Sequence, residues 1–225
     1  MGVLVAGGTG ALGQAVLREL VASGYEVTAT WIVERERERV QAELEEGVRL
    51  VRADLMEAEG AAAAVGAVDD LEAVVNLVGG FASAPPVHET DPEDFDRMIR
   101  LNLRPAFMLA RAAMPALTER GGGAFVCVSA RAALRPFAGA AGYVTGKAAV
   151  LAFVGALDAE YRDRGVRANA VLPSVIDTPA NRAASPDADT SRWVPPGRIA
   201  KVIRFLVSED SAPTSGAAVP VYGRA

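Results

Sequence analysis

A short apolar run, Val3 to Val5, breaks into glycines at three-residue spacing, Gly7, Gly10 and Gly13, and a segment of helical apolar period (Leu12, Val16, Leu20) follows at once. Few structures accommodate a strand, a glycine-rich turn and a helix in such quick succession. Glycine permits the tight turn, lets the backbone approach an anion, and allows the helix to pack closely on the strand. The helix N-terminus adds free N–H groups and the positive end of its dipole. The stretch Gly7-Gly8-Thr9-Gly10-Ala11-Leu12-Gly13 therefore reads as a phosphate cradle at the head of a βαβ series.

The rest of the chain continues the alternation. Strand candidates are Val3–Ala6, Glu26–Thr30, Val48–Val51, Ala73–Val78, Ala124–Ser129, Arg167–Leu172 and Ala217–Val221. Helix candidates are Ala11–Ser23, Glu34–Glu46, Glu57–Val65, Pro92–Arg120, Tyr143–Arg164 and Pro196–Ser208. Several strands are continuously apolar, as strands buried on both faces are. The expected fold is a single α/β domain over residues 1–225: a doubly wound, Rossmann-type central parallel sheet of about seven strands with helices on both faces. A ligand then belongs at the carboxyl ends of the strands. Within the long helical stretch, Asp91 is a fitting N-cap and Pro92 a fitting first residue, while Pro105 predicts a kink near Asn102.

Composition narrows the function classes. The 225 residues are 51% hydrophobic and carry a net charge of −5, which is globular and argues against a nucleic-acid partner. No apolar run approaches the roughly 18–20 residues of a membrane span, and the start has no basic leader region, so a cytoplasmic location is expected. Cys127 is the only cysteine and His88 the only histidine. Cys127 sits in an apolar strand and reads as a small buried hydrophobe, and His88 follows Pro85-Pro86 in a loop. Neither a Ser–His–Asp triad nor a histidine-based metal site is available, and no metal is expected. The alternating charges from Glu34 to Arg39 read as a solvated helix face from which one arginine can reach a cofactor phosphate.

A second constellation is Tyr143 and Lys147, four residues apart and so on one face of a helix. An ammonium near a phenol favours the phenolate and makes the tyrosine a usable proton donor and acceptor. Together with the glycine turn, this pair resembles the short-chain dehydrogenase/reductase family, over essentially the whole chain. The resemblance implies an NAD(P)(H)-dependent oxidoreductase, using NAD or NADP on a small-molecule carbonyl, quinonoid or imine substrate. It implies that Gly7, Thr9, Gly10, Ala11, Leu12 and Gly13 hold the pyrophosphate, and that Asp54 and Leu55 lie at the adenine. Asn76, Val78 and Gly79 match the segment after the fourth strand, and Pro173, Val175, Ile176 and Thr178 the nicotinamide end. Tyr143, Lys147 and Asn102 match the catalytic tyrosine, its lysine and the asparagine of the proton relay.

Three departures stand out. The glycine spacing differs from the commoner Gly-x-x-x-Gly-x-Gly. Trp31 stands where NAD-preferring members carry an acidic residue, with no arginine right beside it in sequence. Ala130 occupies the place of the catalytic serine, and the adjacent Ser129 should point to the opposite face. Within the family, dihydropteridine reductase also has alanine there, and it is similar to this chain in three places: Gly7–Gly13, Ala130–Leu134 and Leu172–Arg182, the last continuing to Trp193. The 172–196 segment is accordingly expected to form a substrate-side loop, with Ala130, Arg131, Asn181, Arg182 and Trp193 facing the substrate. The alternatives carried are dihydropteridine reductase proper and an NAD(P)-binding regulator with weak or no turnover. The all-round apolar character of the Pro92–Arg120 and Tyr143–Arg164 helices predicts a homodimer or homotetramer.

Overall fold

The computed structural model describes residues 1–44 and 47–224. Among them, β1 (Gly2–Ala6), β2 (Glu26–Trp31), β3 (Val48–Arg52), β4 (Leu71–Asn76), β5 (Gly123–Val128), β6 (Val166–Pro173) and β7 (Ala218–Val221) pair in parallel as one sheet. The order is β3-β2-β1-β4-β5-β6-β7. Helices α1 (Ala11–Ala22), α2 (Glu34–Glu43), α3 (Ala58–Gly66), α4 (Pro92–Glu119), α5 (Ala141–Tyr161), α6 (Pro179–Ala184) and α7 (Pro196–Val207) complete the chain.

Strand residues alternate between two cores, as the two-residue period of a strand requires. Val3 and Val5 face Val16, Leu17 and Leu20 of α1 and Ile199, Ile203 and Leu206 of α7. Leu4 and Ala6 face the other way, into a cluster with Leu109, Ala113 and Leu117 of α4 and Val150, Val154 and Leu157 of α5. Burial on both faces is why β1 and β5 carry no polar side chain. The chain winds outward from β1 in one direction through β2 and β3, and in the other from β4 to β7. The carboxyl ends of β1 and β4 flank that switch point, the place where a doubly wound sheet takes its ligand.

Every strand expected from the sequence is present, and the differences are at the ends. β4 and β5 stop at Asn76 and Val128, two residues and one residue short of the expected ends, although Leu77 N and Ser129 N still donate to Ala6 O and Val171 O of the neighbouring strands. α5 begins two residues earlier than expected, at Ala141, and gives way at Arg162–Arg164 to a single 3₁₀ turn. The expected 34–46 helix is seen as Glu34–Glu43, and Glu45 and Glu46 lie outside the described residues. α4 is capped by Asp91, whose carboxylate accepts from Glu93 N at 2.8 Å. It continues as one helix through both Pro105 and Pro115, so the irregularity expected near Asn102 does not end it. The 172–196 segment is not a plain loop. It holds α6 and a 3₁₀ turn at Thr190–Arg192, and it folds back on itself by an Ile176–Val194 bridge.

Candidate active site

The glycine turn joins β1 to α1 at the carboxyl edge of the sheet. Gly7 adopts φ +74°, a left-handed conformation that favours glycine. Its N–H donates to Thr30 Oγ1 at 3.1 Å, tying the turn to the end of β2. A Cβ at Gly8 would stand 2.7 Å from Ala29 Cβ, and one at Gly13 only 2.3 Å from the Gly8 carbonyl oxygen. Both are glycine because the fold leaves no room. Gly10 differs: the nearest atom to a Cβ there is Gly7 O at 3.6 Å, an ordinary contact. The packing does not need glycine at position 10, whereas a group approaching the backbone at the start of α1 does. The residues therefore fit a bound pyrophosphate. Thr9 is buried beneath the turn. Its hydroxyl donates to Glu36 Oε2 at 2.9 Å, and its carbonyl accepts from Gln14 Nε2 at 3.3 Å and Arg39 Nη2 at 3.1 Å.

The flanking positions lie along the same edge. Trp31 ends β2, with the guanidinium of Arg37 5.6 Å from its ring centroid and that of Arg52 5.9 Å away. The sequence places no arginine next to Trp31, but helix α2 and strand β3 bring two. Asp54 is exposed just beyond β3, its Oδ1 accepting from Met56 N at 2.9 Å, and Leu55 beside it is buried. Asn76 ends β4, and its Oδ1 accepts from Val78 N at 3.1 Å, shaping the strip that leads to Gly79.

Lys147 and Asn102 come together because two glycines let their helices touch, and Tyr143 lies one turn before Lys147 on α5. A Cβ at Gly142 would lie 3.0 Å from Met98 Cβ, and one at Gly146 3.1 Å from Met98 O and 3.2 Å from Asn102 Cβ. α5 therefore packs nearly backbone to backbone on α4. Gly79 sits in the resulting corner: a Cβ there would be 2.6 Å from Asn102 Oδ1 and 2.9 Å from Lys147 Nζ. Asn102 is 1% exposed and fully engaged. Its Oδ1 accepts from Gly80 N at 3.2 Å, and its amide donates to Gly80 O at 3.0 Å and Met98 O at 2.9 Å. With both N–H groups so used, the side chain clamps the Gly79–Gly80 strip and has no donor left for a relay water.

Lys147 is buried, with Nζ donating to Val128 O at 2.9 Å. Burial pushes its pKa down to about 8. The expected lowering of the Tyr143 pKa is not found: burial raises it, and the ammonium is turned toward the Val128 carbonyl. Cys127, fully buried in β5, has its thiol pushed up to about 12 by burial, which makes it inert.

Ser129 cannot stand in for the serine missing at Ala130. Its hydroxyl donates to Lys147 O at 2.7 Å, away from Ala130. Arg131 follows Ala130 and lays its guanidinium 5.2 Å over the Tyr222 ring. Of the other expected substrate-side residues, Asn181 donates to Ile176 O at 2.8 Å and Arg182 forms a two-point ion pair with Asp177 at 2.5 and 2.8 Å. Both therefore hold the 172–196 segment together. Thr178 caps α6 by accepting from Asn181 N at 3.2 Å. Pro173 is buried, Ile176 is half-buried in the Val194 bridge, Val175 is exposed, and Trp193 closes the 3₁₀ turn through its N–H to Thr190 O at 3.0 Å. His88 is exposed beside Glu89. Among the described residues no cluster of metal-ligating side chains occurs, and no helix is long and apolar enough to cross a membrane.

Sequence reading passed over Thr30, Glu36, Phe81, Phe137 and the glycine pair 142/146. The last was legible as two small residues at helical spacing, each directly preceding a singled-out side chain.

A family model described as short chain dehydrogenase matches residues 2–189. The chain belongs to the short-chain dehydrogenase/reductase family. It is an NAD(P)-dependent oxidoreductase of that family. Curated relatives include 2-(R)-hydroxypropyl-CoM dehydrogenase of Xanthobacter autotrophicus, 29% identical over 98% of this chain and 96% of that protein. L-xylulose reductase of Bos taurus is 30% identical over 98% of this chain and 94% of its own. Among solved structures, a short-chain type dehydrogenase/reductase from Mycobacterium ulcerans superposes with a TM-score of 0.93 at 26% identity, covering 99% of this chain and 88% of that one.

Proposed function

We propose that this protein transfers a hydride between a nicotinamide cofactor and a small carbonyl, quinonoid or imine substrate, with Tyr143 as proton donor and acceptor. The observation that carries the reading is the corner at Gly79, where Asn102 and Lys147 converge on the strip that runs from the glycine cradle at Gly7, one helical turn along α5 from Tyr143. Bound there, the nicotinamide supplies the hydride. Residues 7–13 would hold the pyrophosphate, Asp54 and Leu55 the adenine, and Asn76, Val78, Gly79, Pro173, Val175, Ile176 and Thr178 the nicotinamide half. Tyr143 gives its phenolic proton to the product oxygen or nitrogen. Lys147, still cationic at neutral pH, would hold the ribose and stabilise the phenolate as it forms. Asn102 acts as a positioning residue through Gly80. The guanidinium of Arg52 beside Trp31 favours NADPH over NADH, since a 2′-phosphate gains from nearby positive charge, while that of Arg37 is ion-paired with Glu34 at 2.5 Å and adds less.

Tyr143→Phe tests the mechanism. Turnover should fall by about 10²–10⁴-fold while cofactor affinity, read as a thermal shift with NADPH, barely changes, because the hydroxyl acts in the transition state. Undiminished activity in that variant overturns it. Dihydropterins belong in the substrate panel beside quinones and diketones, on the strength of the Ala130–Leu134 and Leu172–Arg182 motifs. Ala130 also favours a second reading, a cofactor-binding regulator, which the absence of turnover across that panel would support. The outer face of α4 and α5, where Phe107 is 48% exposed and 6.1 Å from Phe153, is proposed to pair with a second copy. Light scattering at micromolar concentration returning only the 23.4 kDa chain refutes it.

A further inference from the structure

Two large aromatic side chains stand in solvent beside the proposed proton donor. Phe81 and Phe137 are 57% and 52% exposed. The Phe81 ring meets the Tyr143 ring edge-on at 5.1 Å and 81°, and it lies 6.1 Å from the Phe137 ring at 47°. Phe81 comes from the loop after β4 and Phe137 from the loop before α5, so the chain brings them together from 56 residues apart (137 − 81).

Both loops are fixed rather than loose. Gly80, directly before Phe81, is gripped by two hydrogen bonds to the Asn102 side chain. The loops are then tied to each other by Ala84 N donating to Gly139 O at 2.8 Å. Gly139 adopts φ +75°, and a Cβ there would sit 3.0 Å from Ala84 O, so the junction needs glycine. Exposed aromatic surface on loops held by part-buried hydrogen bonds is not a consequence of core packing. Neither ring belongs to either core cluster.

We propose that Phe81 and Phe137 are specificity-determining residues that form one wall of the substrate site, and that the substrate presents a flat conjugated ring next to its reducible group. The inference rests on the assignment of Tyr143 as proton donor. An aromatic ring meeting these faces offset or edge-on gains about 0.5–1.5 kcal/mol beyond the apolar area it buries, which a saturated ring of similar size does not. Because the loops are already held, little ordering is lost on binding. The same geometry keeps the reacting carbonyl beside the phenol that Phe81 touches.

The test uses carbonyl pairs that differ only in ring saturation: benzaldehyde against cyclohexanecarboxaldehyde, and acetophenone against cyclohexyl methyl ketone. The readout is the aryl-to-cyclohexyl ratio of kcat/KM in the intact protein with NADPH, compared with the same ratio in Phe81→Leu and in Phe137→Leu. Comparing ratios cancels the intrinsic reactivity of each carbonyl, and leucine keeps the apolar surface while removing the ring. The ratio is expected to fall about 3- to 10-fold in each variant, the fold-change that corresponds to the stacking increment. A ratio that stays within twofold in both variants, with thermal midpoints near wild type, overturns the proposal. Calorimetric binding of the matched aryl and cyclohexyl compounds to the NADP⁺-loaded protein separates the two readings. Ring-selective binding lost in the leucine variants, without turnover, supports the aromatic wall and removes the proton-donor assignment. Turnover without ring selectivity does the reverse, and neither behaviour removes both.

Discussion

Replacing Lys147 with methionine should make the protein more stable at neutral pH while abolishing its activity. Lys147 is 6% exposed, and burial lowers its pKa from 10.5 to about 8. Below pH 8 both folded and unfolded chains carry the proton, and the folded state then bears the full penalty. Each pKa unit corresponds to about 1.4 kcal/mol, so the penalty at pH 7 is about 3 kcal/mol. Between pH 8 and 10.5 the unfolded chain binds more protons than the folded one, so stability rises with pH over that window and the penalty fades. Methionine removes it at all pH values but leaves the Val128 carbonyl, now bonded by Nζ at 2.9 Å, without its donor, at about 1 kcal/mol. The variant should therefore be about 2 kcal/mol more stable at pH 7 and no more stable than wild type near pH 10. In a domain of this size that is a midpoint difference of roughly 4–8 °C that closes as pH rises. Paired urea or thermal unfolding at pH 7, 8, 9 and 10 measures it, because all other titrations are common to both proteins. A stability difference that does not change with pH, or a variant less stable at pH 7, refutes the assignment of a buried, charged lysine.

Two further substitution experiments follow from the glycines and from Ala130. Gly13→Ala drives a methyl to 2.3 Å from Gly8 O and should lower stability by about 3 kcal/mol or more, whereas Gly10→Ala should cost within about 1 kcal/mol and instead weaken NADPH binding at least about tenfold. Thermal unfolding with and without cofactor separates the two, and wild-type cofactor affinity in Gly10→Ala removes the cradle argument. Ala130→Ser restores a hydroxyl donor whose loss costs about 10²–10³ in rate in other enzymes. A gain confined to simple ketones marks an altered substrate, a gain with every substrate marks a weakened site, and no gain with any ketone refutes the idea that the position faces the reacting oxygen.

The architecture was legible because its causes are local. Strands with apolar residues on both faces, such as Val3–Val5 and Phe125–Val128, allow only a sheet covered on both sides, and the glycine turn fixes which edge binds. Tyr143 and Lys147 could be read as a pair because helical spacing alone sets them on one face. What escaped reading depends on contacts between distant segments. The arginines flanking Trp31 arrive from α2 and β3, and Phe81 meets Phe137 only after two loops join at Gly139. The direction of the Tyr143 shift escaped for a different reason. Sequence shows a lysine four residues away but not that its ammonium is turned to a backbone carbonyl, which leaves burial as the dominant effect.

The places where this chain departs from what folding alone would choose lie along one edge. Lys147 is a buried charge, Phe81 and Phe137 are exposed rings, and Gly10 lacks a side chain that the packing would admit. Each departure would be removed by selection for stability, since a leucine, a serine or an alanine would serve the fold as well. The opposite edge provides the contrast. A cavity of about 510 Å³ there is lined by Arg120, Arg162 and Arg167, yet Arg120 pairs with Glu72, Arg162 with Asp158, and Arg167 donates to the Leu206 and Ser208 carbonyls. Those charges are satisfied within the fold. At the carboxyl edge, the proposed function gives the buried ammonium, the bare backbone and the exposed rings one common reason, a cofactor with a flat substrate beside it.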